Sequence, residues 1–105
     1  MKSKRSKACD IPQKVKDKVW ERDGFYCIKC GNPQAMPNAH YISRAHGGLG
    51  IEENIVTLCQ KCHDIYDHSP SRPEFREYIK NYLKNKYPDW DEKKLVYRRK
   101  NYETF

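Results

Sequence analysis

No stretch of this chain approaches the roughly 18 consecutive apolar residues of a membrane-spanning helix, so no membrane insertion is expected. The first residues, Met1-Lys2-Ser3-Lys4-Arg5-Ser6-Lys7, lead into no apolar stretch. A secretory signal peptide is therefore not expected, and the chain reads as cytoplasmic. Internal repeats are also lacking. Apolar residues are scarce: 37% of 105 residues are hydrophobic against 33% charged, and the mean hydropathy is −1.08. One short domain of this polarity buries a modest core, and such domains commonly add a metal or disulfides. Acidic charge is in short supply as well. Lys and Arg number 21 against 14 Asp and Glu, leaving a formal net charge of +7. That excess favours polyanionic partners, of which nucleic acid is the commonest. It gathers at Lys2, Lys4, Arg5 and Lys7, at Lys14, Lys16 and Lys18, and at Arg98, Arg99 and Lys100. A merely solvated surface uses the same residues, so charge alone does not decide between the two.

What the chain does have is five cysteines, four of them in matched pairs. Cys27-Ile28-Lys29-Cys30 is followed by Gly31, and Cys59-Gln60-Lys61-Cys62 follows after residues 31–58. A two-residue gap lets both thiolates of a pair reach one ion, and two pairs complete a tetrahedral sulfur shell, so Cys27, Cys30, Cys59 and Cys62 are expected to bind one structural zinc. Thiols stay reduced in the cytosol, where paired cysteines hold metal more often than they form disulfides. Lys29 and Lys61 offset part of the thiolate charge. Cys9 lies outside the pattern and reads as a free thiol near a flexible end.

Along the chain, residues 1–9 read as a disordered basic arm and 10–105 as a single domain, with a core at 25–68 and C-terminal helices at 73–105. Asp10 is placed to cap a helix starting at Ile11-Pro12. Its apolar positions Ile11, Val15 and Val19 recur every four residues until Asp23-Gly24 stops them. Phe25–Ile28 reads as a strand, residues 31–38 as a loop broken by Pro33 and Pro37, Ala39–Ser43 as a second strand, and residues 45–50 as a glycine-rich turn. Residues 51–58 lead into the second cysteine pair, where a helix from about Cys59 to Asp67 is expected. Ser71 and Glu74 have capping-box spacing, and Phe75, Tyr78, Ile79, Tyr82 and Leu83 form an apolar helical stripe behind them. A last short helix is expected over residues 91–100. The fold class is α+β: a strand pair and a helix around zinc, flanked by helices.

Four histidines remain: His40, His46, His63 and His68. His63 directly follows the last cysteine and His40 lies between the pairs, so a zinc joining the two segments allows His40 and His63 to face each other across a cleft. Several positions agree with one pattern at once. They are the first cysteine pair, Ala39-His40-Tyr41-Ile42-Ser43-Arg44-Ala45-His46-Gly47-Gly48, and Glu53-Asn54-Ile55-Val56-Thr57-Leu58-Cys59-Gln60-Lys61-Cys62-His63. Together they resemble the HNH endonucleases of the ββα-metal class, in particular the short HNH proteins of bacteriophages and prophages with a four-cysteine zinc site. His40, Asn54 and His63 match the letters of that name, and the resemblance spans about residues 11–68.

The resemblance implies that His40 is a general base deprotonating the attacking water, a task suited to an imidazole. It implies that Asn54 holds the turn that orients His40, and that His63 ligates a catalytic divalent ion. The family usually has Asp or His before the base, as a second ligand. Here that position is Ala39, which can ligate nothing. Asp67, four residues after His63 on the same expected helix, shares its face and is the candidate second ligand; Asp64 and His68 lie on other faces. A His-plus-carboxylate site admits Mg2+, Mn2+, Ni2+ or Zn2+. Arg44 and His46, flanking the glycine turn, are candidate DNA contacts, Arg44 the better one because arginine grips phosphate bidentately. Tyr41, Trp20 and Trp90 read as packing residues.

The expected function is therefore metal-dependent hydrolysis of DNA phosphodiester bonds with low sequence specificity, by a monomer or dimer. A zinc-stabilised DNA-binding module without catalysis, and a protein-interaction module, are the other readings. The resemblance also implies a phage or prophage origin in a bacterial host and an association with terminase and genome packaging.

Overall fold

The structure, a computed structural model, describes residues 3–98. Its first element is a helix, α1 (Lys4–Cys9), so the expected disordered arm is corrected over those residues; Met1 and Lys2 lie outside the described residues. Six residues cannot sustain a helix alone, and distant contacts hold this one. The Ser3 side chain accepts from the Ser6 N–H. The Ala8 carbonyl accepts from Gly50 N–H at 3.0 Å, and Cys9 is 2% exposed rather than free at a flexible end. Asp10 ends α1 instead of capping the next helix. The residue before a proline is pushed towards extended backbone, so the chain turns at Ile11-Pro12. α2 (Gln13–Arg22) starts after Pro12 without a side-chain cap.

Gly24 adopts φ +76° to stop α2, and Phe25 follows at φ +70°. The strand expected at Phe25–Ile28 is absent: a left-handed residue and the tight turn around Cys27 cannot sustain strand alternation. The first strand is β1 (Ala35–His40), which starts earlier than expected and ends at His40. Pro37 looks like a breaker in the sequence. It is tolerated because the sheet has two strands and the pairing register shifts between Met36 and Ala39, where a residue without an N–H costs little. β2 (Ile55–Cys59) pairs with it antiparallel, Ala39 opposite Val56 and His40 opposite Ile55. All five β2 residues are buried, which fits a strand covered on both faces. α3 (Gln60–His68) follows directly, completing a ββα unit of α+β class.

α4 (Arg72–Lys86) lays Phe75, Ile79 and Leu83 into the core at helical spacing. Its expected capping box does not form: Ser71 sits at φ −78°, ψ 3° and makes no side-chain cap bond. The last expected helix shrinks to one 3-10 turn, Glu92–Leu95. Val96 then bridges to Gly48; Arg99 and Lys100 lie outside the described residues. A buried pair ties the layers together. Asp23 accepts from Thr57 N–H at 2.8 Å and from the Tyr82 hydroxyl at 2.6 Å, while Arg22 donates to the Ile55 and Glu52 carbonyls. No helix among the described residues is long and apolar enough to cross a membrane.

Candidate active site and metal centre

The four paired cysteines converge. Their sulfur atoms all lie within 4.8 Å of one another, and Cys30 and Cys59 Sγ are 3.6 Å apart. Zinc–sulfur bonds of about 2.3 Å in a tetrahedron require sulfurs about 3.8 Å apart, so the donor set fits one zinc ion. Three local features bring it about. Gly31, at φ +80°, closes the first loop by donating to the Cys27 carbonyl at 2.9 Å. Cys59 ends β2 and caps α3, its sulfur accepting from Cys62 N–H at 3.4 Å. Ile28 N–H donates to the Thr57 carbonyl at 3.0 Å, fastening the first loop to β2. Burial raises the Cys27 thiol pKa, but hydrogen bonds with the backbone of Cys30, Cys59 and Lys29 outweigh it and bring the thiol down to about 7, whereas burial and the other three sulfurs push the Cys62 thiol up, as crowded sulfurs that cannot all carry charge without a cation do.

Beside this cluster is an open cleft of about 620 Å³ lined by His40, Arg44, His46, His63 and Asp67, with Asn38, Ser43, Ala45 and Arg72. Five of the residues singled out from the sequence thus share one surface. His63 Nε2 and Asp67 Oδ2 are 3.4 Å apart, one helical turn from each other on α3. Neighbouring donors around a small divalent ion stand about 3 Å apart, so this pair fits as two ligands of one ion. Among the described residues, the four cysteines are the sole convergent group of three or more His, Cys, Asp or Glu side chains. Of the His and Asp side chains that line the cleft, His63 and Asp67 stand at ligand spacing, with the rest of a shell left to substrate oxygens and water. Ala39 is 1% exposed and packs in the core, so it contributes nothing to the cleft.

His40 comes from the end of β1. Its Nε2 lies 2.9 Å from the Cys9 carbonyl. Burial holds its imidazole below the ordinary histidine range; the charges of Arg44 and His63 add to this, and the Cys9 hydrogen bond opposes it. Arg44 pairs with Asp10 at 2.9 Å, and His46 Nδ1 shares a hydrogen bond with Ser43 Oγ at 2.8 Å.

Asn54 does not line the cleft; it is fully buried behind it. Its side chain accepts from Ile42 N–H at 2.8 Å and donates to the Ile42 and Leu49 carbonyls at 3.1 and 2.9 Å. Its own carbonyl accepts from Tyr41 N–H at 2.7 Å. Asn54 thus clamps both ends of the loop that follows His40. Gly48 makes that clamp possible, because a Cβ there would lie 1.7 Å from the Ile42 carbonyl oxygen and 3.0 Å from the Asn54 amide nitrogen. Tyr41 is a packing residue: it is buried and its hydroxyl donates to Glu92 at 2.6 Å. Asp64 bonds to Gln60, away from the cleft.

Sequence reasoning missed Asn38 and Arg72. Asn38 stands two residues before His40 on β1, and side-chain alternation could have placed it on the same face. Arg72 was hidden inside a proline-flanked break; it stacks its guanidinium 4.7 Å from the Tyr66 ring centre at the cleft edge. Comparison with known proteins agrees with the geometry. Residues 27–69 match the family model described as HNH endonuclease, a segment that contains both cysteine pairs, His40, Asn54, His63 and Asp67. No curated protein matches the chain.

Proposed function

We propose that this chain, with its HNH endonuclease segment at residues 27–69, is a metal-dependent endonuclease that hydrolyses DNA phosphodiester bonds. The observation that carries the proposal is the meeting of His40, His63 and Asp67 in one cleft, edged by Arg44, His46 and Arg72. His40 takes a proton from the water attacking the scissile phosphorus; a neutral imidazole, favoured here by burial, is the form able to do so. Arg44, His46 and Arg72 receive the phosphate backbone, and Asn54 keeps the His40 loop in place without touching substrate. His63 and Asp67 would hold a divalent ion (Mg2+, Mn2+, Ni2+ or Zn2+), which supplies electrostatic stabilisation of the phosphate and leaving 3′ oxygens. Zinc on the four cysteines has a structural role.

The test is plasmid cleavage with Mg2+, Mn2+ or Ni2+ by wild-type protein and by His40→Ala. Cleavage that disappears in the variant supports the proposal; an intact plasmid with every metal supports the other reading, a zinc-stabilised DNA-binding module, which the missing ligand at Ala39 favours. Low sequence specificity is expected, and a motif shared among the sequenced cut ends would overturn it. A phage or prophage origin and an association with terminase rest on the family resemblance. Failure of the protein to co-purify with a terminase encoded beside it would remove the packaging role.

A further inference from the structure

We infer that the chain grips its DNA at a second place, a basic groove between α1 and residues 93–98, where Lys93, Lys94 and Arg98 receive the phosphate backbone flanking the bond that is cut. This rests on the reading of the chain as acting on DNA, and it extends the surface that DNA covers beyond the cleft. The groove has a volume of about 660 Å³, and Ala8, Leu49 and Val96 contribute to its walls. Three cationic side chains line it, and no Asp or Glu does. All three are exposed, and none forms an ion pair with a carboxylate among the described residues. Lys94 also borders a pocket with Glu53, Asp89 and Asp91, without an ion pair to any of them. Glu92 is engaged elsewhere, by Arg76 and the Tyr41 hydroxyl. Cations gathered around one concavity without acidic partners repel one another, and a bound polyanion relieves that repulsion.

The loop that follows His40 joins this groove to the cleft. Arg44 and His46 line the cleft, and Leu49 lines the groove. Backbone bonds fasten the C-terminal segment to the same loop. Leu49 N–H donates to the Leu95 carbonyl and Tyr97 N–H to the Gly47 carbonyl, each at 2.8 Å, and Gly48 bridges to Val96. The packing there is close: a Cβ on Gly47 would stand 3.2 Å from Val96 Cγ1 and 3.6 Å from Arg5 Nη2. Arg5 in turn donates to the Arg44 and Ala45 carbonyls at 3.3 and 3.0 Å, so a further cation lies on the loop that joins the two sites. Arg98 is placed by its own bonds, since Nε and Nη2 donate to the Lys93 carbonyl at 3.3 and 3.1 Å. A guanidinium carries five N–H groups, and those left over suit a phosphate. Phosphate contacts set register and orientation without reading bases, in keeping with the low sequence specificity expected of the chain. Neither α1 nor residues 93–98 lie in the segment matched by the family model.

The experiment titrates a labelled DNA duplex with the zinc-loaded full chain over a series of salt concentrations, with His40→Ala in every sample so that the duplex stays intact. Lys93→Gln/Lys94→Gln is compared with Lys80→Gln/Lys84→Gln, which removes the same charge from α4, where neither lysine lines the cleft or the groove. Each lost phosphate contact lowers the slope of log affinity against log salt by about 0.9. The groove variant is therefore expected to lose about 1.8 in slope and at least about tenfold in affinity at low salt, and the α4 variant to keep the parent's slope. In the chain that retains His40, the groove variant is expected to raise KM for DNA and to leave kcat, zinc content and melting temperature as in the wild type. A slope left unchanged, or lowered equally by both variants, overturns the inference, as does a fall in kcat at unchanged KM. Binding is observed without any cleavage, so the two readings fail separately. Binding weakened through the groove in a chain that cuts no DNA would sink the endonuclease reading alone. Cutting that depends on His40 but ignores the groove variant would sink the groove alone.

Discussion

The cysteine cluster and the histidine cleft share one helix, yet they are built to different standards of completeness. The cluster has four converging donors drawn from a turn, a strand end and α3, enough to close a tetrahedral shell. The cleft has two, His63 and Asp67, in an open space of about 620 Å³. Cys62 and His63 are consecutive residues, and a step of about 100° around a helix turns one side chain to the cluster and the next to the cleft. A closed shell suits an ion whose work is to hold the fold, and an open one suits an ion that must admit substrate. Under the proposed function, ligand number separates an ion that would hold the fold from one that would meet substrate.

The largest effect should come from the closed site. Stripping zinc with a strong chelator, or replacing Cys59 by Ala, should remove the cooperative thermal transition, since structural zinc contributes on the order of 10 kcal/mol in small domains; calorimetry checks it, and a persisting transition would break the contrast. Next is His40→Ala, expected to lower cleavage by roughly 10²–10⁴-fold, the range for a general base, with the melting temperature little changed. Asn54→Ala should instead act on the fold. It strands the Ile42 and Leu49 backbone groups and should destabilise by about 3 kcal/mol in urea denaturation. Smaller still is Asp67→Ala, expected to weaken divalent-ion affinity at least about tenfold in calorimetric titration while leaving the four-cysteine zinc in place. Unchanged affinity would remove Asp67 from the shell.

The smallest effect is on pH. Because His40 in the folded chain titrates below its ordinary value of 6.5, the rising limb of cleavage against pH should lie below 6.5. The unfolded chain binds the proton more readily, so the His40 contribution to stability is fully present above 6.5 and is lost as pH falls through the folded value. A rising limb above 6.5 would show that burial does not govern this histidine.

Much of this arrangement was legible in the residues because it depends on short spacings. The two cysteine pairs, the four-residue step from His63 to Asp67, and the Phe75–Ile79–Leu83 stripe are local periodicities, and the structure places their side chains together as spaced. The misreadings occurred where long-range contacts overrode local signals. α1 looked like a solvated basic arm because its order depends on Gly50, Arg44 and Ala45, some forty residues away. Pro37 looked like a loop residue because the register shift that absorbs it belongs to the pairing with β2. Ser71 has the spacing of a capping box, but the turn from α3 into α4 holds it in a conformation that cannot cap.

The amino-acid sequence by itself determined the four-cysteine cluster, the helix that follows its second pair and five of the residues that face the cleft. Each follows from covalent spacing and from the fixed periods of helix and strand, which travel with the chain wherever it folds. Only the tertiary structure decided which atom His40 meets. The Cys9 carbonyl is 31 positions away along the chain. It reaches the ring because α1 docks on the loop between the strands, a juxtaposition made by packing that no local pattern of residue types encodes.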